Sequence, residues 1–131
     1  VRIGTAEIYR QIEPMAAIAD AMVVAQPYGD DTRIVMLVVL NRGYTLDDSL
    51  KKEIRKQLRE NASPRHMPGV IEAVTALPYT RSGKKVEIAV ARLLRGMTIN
   101  NTGAIANPES LDEIRGLDAL ELDDEAVRRQ L

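Results

Sequence analysis

Three stretches of this sequence predict an α+β fold, a small three-stranded sheet covered by helices. Arg33 to Leu40 is an almost unbroken apolar and β-branched run, the pattern of a strand buried on both faces. Leu46, Leu50, Ile54 and Leu58 recur at helical spacing, with Lys51, Lys52, Glu53, Lys56 and Glu60 on the other sides, which describes a half-buried helix. Val70 to Val74 then returns to strand composition.

The remaining elements follow in chain order. Val1 to Ile3 reads as the tail of a strand or hinge, and Thr5 can cap a helix from Ala6 to about Glu13 that carries Ile8, Ile12 and Met15 on one face. Pro14 stops it. The short apolar run Ala21 to Ala25, the turn residues Gly29-Asp30-Asp31 and the run from Arg33 predict a hairpin. Thr45 and Asp48 are spaced as a capping box for the helix that follows. Asn61 to Gly69 holds Pro64 and Pro68 and cannot remain regular. Beyond Arg95 the pattern weakens: 1–95 is expected to form the main domain, and 96–131 a tail of short helices laid over it. In that tail Asn107 is the expected helix cap, Pro108 the first residue and Gly116 the stop.

Composition narrows the chemistry. The 131 residues suit one domain, which can bury roughly two-thirds of the surface its unfolded chain exposes. With no Cys, Trp or Phe, the core must come from aliphatic residues and four Tyr. The lack of Cys excludes a disulfide framework, a thiolate nucleophile and thiolate-ligated zinc, and fits a cytoplasmic protein. Charge is balanced, 18 basic against 19 acidic residues, so no nucleic-acid or acidic-membrane partner is implied. No apolar run approaches the roughly 20 residues of a membrane span. The chain opens on Val-Arg-Ile-Gly in what reads as structured sequence, and is expected to be part of a longer protein.

Thr80 to Glu87, Thr-Arg-Ser-Gly-Lys-Lys-Val-Glu, is the stretch most suited to chemistry. It places Gly83 beside two cations just after Leu77-Pro78. Ser82 reads as an N-cap, and Val86, Ala89, Val90, Leu93 and Leu94 fall at helical spacing, so Lys84 is expected in the first turn of a helix. A cation there is disfavoured by about 0.3–1 kcal/mol unless an anion approaches, which makes the loop a candidate anion site. Pro78 stands where a P-loop needs its first glycine, so a triphosphate cage is excluded. Surface loops are polar by default, and a plain solvated helix start is the competing reading. His66 has no nearby carboxylate or second ligand and reads as a loop residue. Arg59 and Arg65 bracket the Pro64 loop and could clamp a phosphate or simply be solvated. The pairs Asp30-Asp31 and Asp123-Asp124 read as turn and cap chemistry, with no metal site implied.

Two motifs carry a family resemblance. Arg2-Ile3-Gly4-Thr5-Ala6-Glu7-Ile8 resembles the stretch after the interdomain hinge of adenylate-forming acyl-CoA synthetases, and Leu77-Pro78-Tyr79-Thr80-Arg81-Ser82-Gly83-Lys84 is similar to that family's Leu-Pro-x-Thr-x-Ser-Gly-Lys. The continuation Lys84-Lys85-Val86-Glu87, the Ser63–Pro68 loop and the Asn-Pro-Glu of the tail look most like the acetoacetyl-CoA synthetase branch. The resemblance implies the C-terminal lid of an AMP-forming ligase that uses ATP and CoA as substrates, with Lys84 as its mobile catalytic residue and Gly83 giving it reach. It further implies that Arg2 lies near the ATP and CoA sites, and that Arg59 contacts the CoA nucleotide phosphate. Mg2+, the ATP phosphate loop and the acyl pocket would belong to an N-terminal adenylation domain of the same polypeptide, so this chain alone is not expected to make a thioester. Lys84 also resembles a lysine that an acetyltransferase and deacetylase switch in relatives. The alternative is a stand-alone phosphate- or nucleotide-binding module, or a subunit acting on a separate partner.

Overall fold

The computed structural model describes residues 5–62, 67–99 and 102–120. Its centre is β2 (Asp31–Leu40), flanked by β1 (Ile18–Tyr28) on one side and β3 (Val70–Ala73) on the other. β1 and β2 pair antiparallel from Ile18 opposite Leu40 to Tyr28 opposite Asp31, and Gly29 turns the hairpin at φ 62°. β3 joins β2 in parallel, Val35 opposite Val70. Parallel neighbours need a crossover, and α2 (Asp48–Asn61) supplies it.

The central strand is buried on both sides, and alternate residues separate two cores. Ile34, Met36 and Val38 join Ala21, Val23 and Ile71 beneath α1 (Thr5–Ile12) and α2, which contribute Ile8, Ile12, Leu50, Ile54 and Leu58. Each of the larger side chains contributes about 1.5–3 kcal/mol on burial. Val35 and Leu37 face the other way, with Met22, Val24, Val70 and Val74, under α3 (Glu87–Leu94). That second face is completed by Ile105, by Leu111 and Ile114 of α4 (Glu109–Arg115), and by Leu120. Of the described residues beyond Arg95, Ile105, Leu111, Ile114 and Leu120 are therefore part of the core that α3 begins.

Polar contacts fasten this last segment down. Gln26, nearly buried on β1, donates from Nε2 to the Leu120 carbonyl at 2.9 Å and accepts from Arg33 Nε at 2.9 Å. Glu113 accepts from the Thr75 amide at 3.0 Å and its hydroxyl at 2.9 Å.

Three expected helix starts are corrected. Asp47, rather than Thr45, caps α2: its carboxylate accepts from the Leu50 amide at 2.8 Å, adding negative charge at the positive end of the helix. Asn107 is not a side-chain cap for α4, because its amide is spent on the preceding chain, donating to Leu77 O at 2.7 Å and accepting from Tyr79 N at 3.0 Å. Ser82 does not cap α3, which begins at Glu87 after Val86 with no side-chain cap bond. The expected stop at Gly116 is found. Strand β1 extends further than Ala21 to Ala25 and includes Pro27, which an edge strand tolerates.

Candidate functional site

The segment between Pro78 and Glu87 folds as a tight hairpin. Tyr79 and Lys85 form an antiparallel bridge, and the Val86 amide donates to Pro78 O at 3.1 Å, which keeps the chain extended up to the start of α3. The tip closes on itself. Thr80 N donates to Lys84 O at 2.8 Å, Gly83 N to Thr80 O at 2.9 Å, and Lys84 N to Thr80 Oγ1 at 3.0 Å. The Ser82 hydroxyl lies 2.9 Å from that of Thr80. Gly83 has φ 90°, in the left-handed region where a side chain is strained, and this is why Ser82 cannot open a helix there.

Lys84 is consequently not at a helix N-terminus. The Gly83 and Lys84 amides are already taken by Thr80, and the first turn of α3 carries the acidic Glu87. Any anion held here meets the ammonium of Lys84 rather than a cradle of backbone N–H groups. Lys84 is exposed, and among the described residues its ammonium has no ion-pair or hydrogen-bond partner. Arg81 beside it is committed: its amide and Nε donate to Ala104 O and Gly103 O at 3.2 and 3.1 Å.

Lys85, one residue on, is also committed. Its Nζ donates to Ala21 O at 2.7 Å, lies 3.2 Å from Asp20 Oδ1, and sits 4.4 Å from the centre of the Tyr9 ring. Tyr79 on the other leg donates to Asp20 Oδ2. Tyr9 OH donates to Glu87 Oε2 at 2.8 Å and accepts from Val23 N at 2.9 Å. Ala21 and Val23 lie on the edge strand of the described sheet, so a lysine and a tyrosine occupy backbone groups that no further described strand pairs. Burial raises the Tyr79 phenol above its ordinary pKa, and the hydrogen bond and charge of Asp20 add to this. Burial also raises that of Tyr9; the Val23 amide works against this, and Glu87 and Asp20 add to it.

Asp20, Tyr9, Tyr79 and Lys85 were absent from the sequence-derived site. The available signal was a lone carboxylate within the apolar Ile18–Val24 stretch and two tyrosines in a chain almost without aromatics. Of the expected residues, Gly83 and Lys84 are brought together. Arg59 is exposed in the last turn of α2, whose apolar side packs on the other face of the sheet from that bordered by Tyr79 and Val86. Arg2, Arg65 and His66 lie outside the described residues.

A groove of about 290 Å³ runs beside the hairpin, lined by Thr80, Val86, Ala89, Arg92, Ile99 and Ile105. Its walls are mostly apolar, and Arg92 is spent on Thr98 O at 3.0–3.1 Å, so it offers no clamp for a phosphate chain. Among the described residues no three carboxylate, imidazole or thiolate groups converge as metal ligands, and Mg2+ does not fit a donor set here. No described helix is long and apolar enough to cross a membrane.

Comparison with known proteins follows the same residues. Residues 11–84 match the model of the AMP-binding enzyme C-terminal domain, a stretch that ends on Lys84. The chain is similar to the acetoacetyl-coenzyme A synthetase of Rhizobium meliloti, 48% identical over 92% of this chain and 18% of that protein. It is 44% identical to the acetoacetyl-CoA synthetase of Caenorhabditis elegans over 86% of this chain and 16% of that one. The solved acetoacetyl-CoA synthetase of Streptomyces lividans superposes with a TM-score of 0.77 at 33% identity, covering 98% of this chain and 19% of that chain. The chain thus spans less than a fifth of the length of these relatives.

Proposed function

Because this chain belongs to the family of AMP-binding enzyme C-terminal domains, we propose that it is the C-terminal part of an AMP-forming acid–CoA ligase, with Lys84 as its catalytic lysine and acetoacetate as the acid. In this reading the carboxylate attacks the α-phosphate of ATP, giving acyl-adenylate and pyrophosphate. CoA sulfur then attacks the acyl carbon and AMP leaves. The observation that carries the reading is the contrast within the hairpin: among the described residues the Lys84 ammonium has no bonding partner, while the neighbouring cations Arg81 and Lys85 are engaged.

Negative charge gathers on the α-phosphate oxygens and the attacking carboxylate during the first step. An ammonium aimed between them stabilises that arrangement more than the ground state, which is the condition for accelerating the step. The glycine at φ 90° and the exposed tip let Lys84 reach out. The second step needs the lysine withdrawn, by rotation of this part against the rest of the enzyme. Mg2+, the triphosphate and the acyl pocket are assigned to that remaining length, together with the adenylation domain as partner. Arg2 and Arg59 are assigned to the second, CoA-facing arrangement, and the enzyme to the cytoplasm. Acetylation of Lys84 would remove its charge and act as an off switch.

The test separates the half-reactions in the complete enzyme. Lys84→Ala is expected to lower acid-dependent pyrophosphate exchange by about 10²–10³-fold, as loss of one aimed donor does. Conversion of supplied acyl-adenylate and CoA to thioester should persist. Normal exchange in the variant would refute the role of Lys84, and equal loss in both steps would refute its assignment to the first.

A further inference from the structure

The hairpin that carries Lys84 is held by a carboxylate on a different element, and both of its legs meet there. Tyr79 opens the hairpin and Lys85 closes it, as bridge partners. Asp20 on β1 receives the Tyr79 hydroxyl on Oδ2 and lies 3.2 Å through Oδ1 from the Lys85 ammonium. Its own position is set by the Ala21 amide, which donates to Oδ1 at 2.9 Å. Lys85 is further fixed by Ala21 O and by the face of Tyr9. Between the legs, the described outward attachments are the Arg81 amide and Nε, which donate to Ala104 O and Gly103 O, and the bridge of Thr80 with Ile105.

We propose that Asp20 is a positioning residue for the adenylation step: by tying Tyr79 and Lys85 to the edge of β1 it sets where the Lys84 ammonium stands when the acyl-adenylate forms. The proposal rests on the role given to Lys84 above. A flexible ammonium contributes only while it is aimed. Without a common anchor the two legs could shift relative to β1, and the lysine at the tip would shift with them. Thioester formation takes place with Lys84 withdrawn, so loss of the anchor should affect the two steps unequally. A carboxylate with a merely structural role would affect them in proportion.

The experiment uses the complete enzyme carrying Asp20→Asn, Tyr79→Phe, the double variant and Lys84→Ala, with each rate normalised to folded protein. Asp20→Asn keeps the shape of the side chain, so its effect does not depend on whether Asp20→Ala folds. Pyrophosphate exchange should fall roughly 10–100-fold in Asp20→Asn, the scale of a small misplacement of a catalytic group, while thioester formation from supplied acyl-adenylate changes less than about threefold. The double variant should be no worse than the poorer single variant, since both remove one anchor. Unchanged exchange in Asp20→Asn, or an equal fall in both steps, overturns the anchoring role. If Lys84→Ala itself exchanges normally, the catalytic reading has failed instead. Lys84→Ala without exchange beside an unaffected Asp20→Asn removes the anchor alone.

Discussion

The tip and the base of the Lys84 hairpin have opposite characters although only one peptide bond separates Lys84 from Lys85. At the tip, Thr80, Ser82, Gly83 and Lys84 bond among themselves and leave an exposed ammonium. At the base, Tyr79 and Lys85 are bound to a carboxylate, a carbonyl and an aromatic face brought in from the region between Tyr9 and Ala21. The cation at the tip is available because the cation at the base is not. In the role proposed for Lys84, reach and aim are thereby divided between neighbouring residues: a glycine at positive φ would give the first, and a half-buried ionic contact the second.

The sharpest way to break this contrast is to exchange its two lysines' fates. Lys85→Met should destabilise the chain by about 1–2 kcal/mol, somewhat below the roughly 1.5–3 of a charged hydrogen bond because Lys85 and Asp20 retain 21% and 24% exposure. Lys84→Met, at an unpaired exposed site, should change stability by less than about 0.5 kcal/mol. Urea unfolding of both variants checks this, and equal destabilisation would erase the distinction between tip and base. A similar-sized effect is expected at the hinge of the tip. A Cβ at Gly83 meets nothing within 4 Å, so Gly83→Val is opposed by backbone strain alone, about 1–2 kcal/mol for a β-branched residue in the left-handed region. Gly83→Asn should recover much of that loss, because Asn tolerates this conformation. If Val and Asn prove alike, the turn is not held in the left-handed region.

Sequence patterning reached the tip and stopped short of the base. The unbroken run of β2 and the stripe through Leu50, Ile54 and Leu58 are local signals repeated over many residues, and both emerge as expected elements. Lys84 was legible because it lies within a compact motif. Its anchors are distant: Tyr79 meets Asp20 across 59 positions, Lys85 meets Ala21 across 64 and Tyr9 meets Glu87 across 78. No periodicity connects such pairs. The misplaced helix start at Ser82 has the same origin. Ser82 followed by helically spaced Val86, Ala89 and Val90 is a sound local signal, and it loses to the hairpin bridge of Tyr79 with Lys85 together with the long-range bridge of Thr80 with Ile105. The tail shows the converse, since Ile105, Leu111, Ile114 and Leu120 are too widely spaced to read as a core and become one only against α3 and the sheet.

The smallest expected effect reads the base through its protons. Tyr79 and Tyr9 are held neutral in the fold, with pKa values raised above the ordinary 10.0 by burial and by the carboxylates they face. A raised folded-state pKa means that the folded chain retains protons which the unfolded chain releases. The stabilisation is complete below pH 10 and declines as pH rises beyond it, by at most about 1.4 kcal/mol per pH unit for a group and by less where solvent screens it, as at the more exposed Tyr79. Removing one group should flatten that decline. Tyr79→Phe is accordingly expected to be less stable than the parent near neutrality, by about 1 kcal/mol for the lost hydrogen bond, yet to lose less stability between pH 9 and about pH 11. Urea unfolding across that range gives two curves that converge as pH rises. Parallel curves would mean that Tyr79 titrates alike folded and unfolded, and that Asp20 does not hold the base of the hairpin as described.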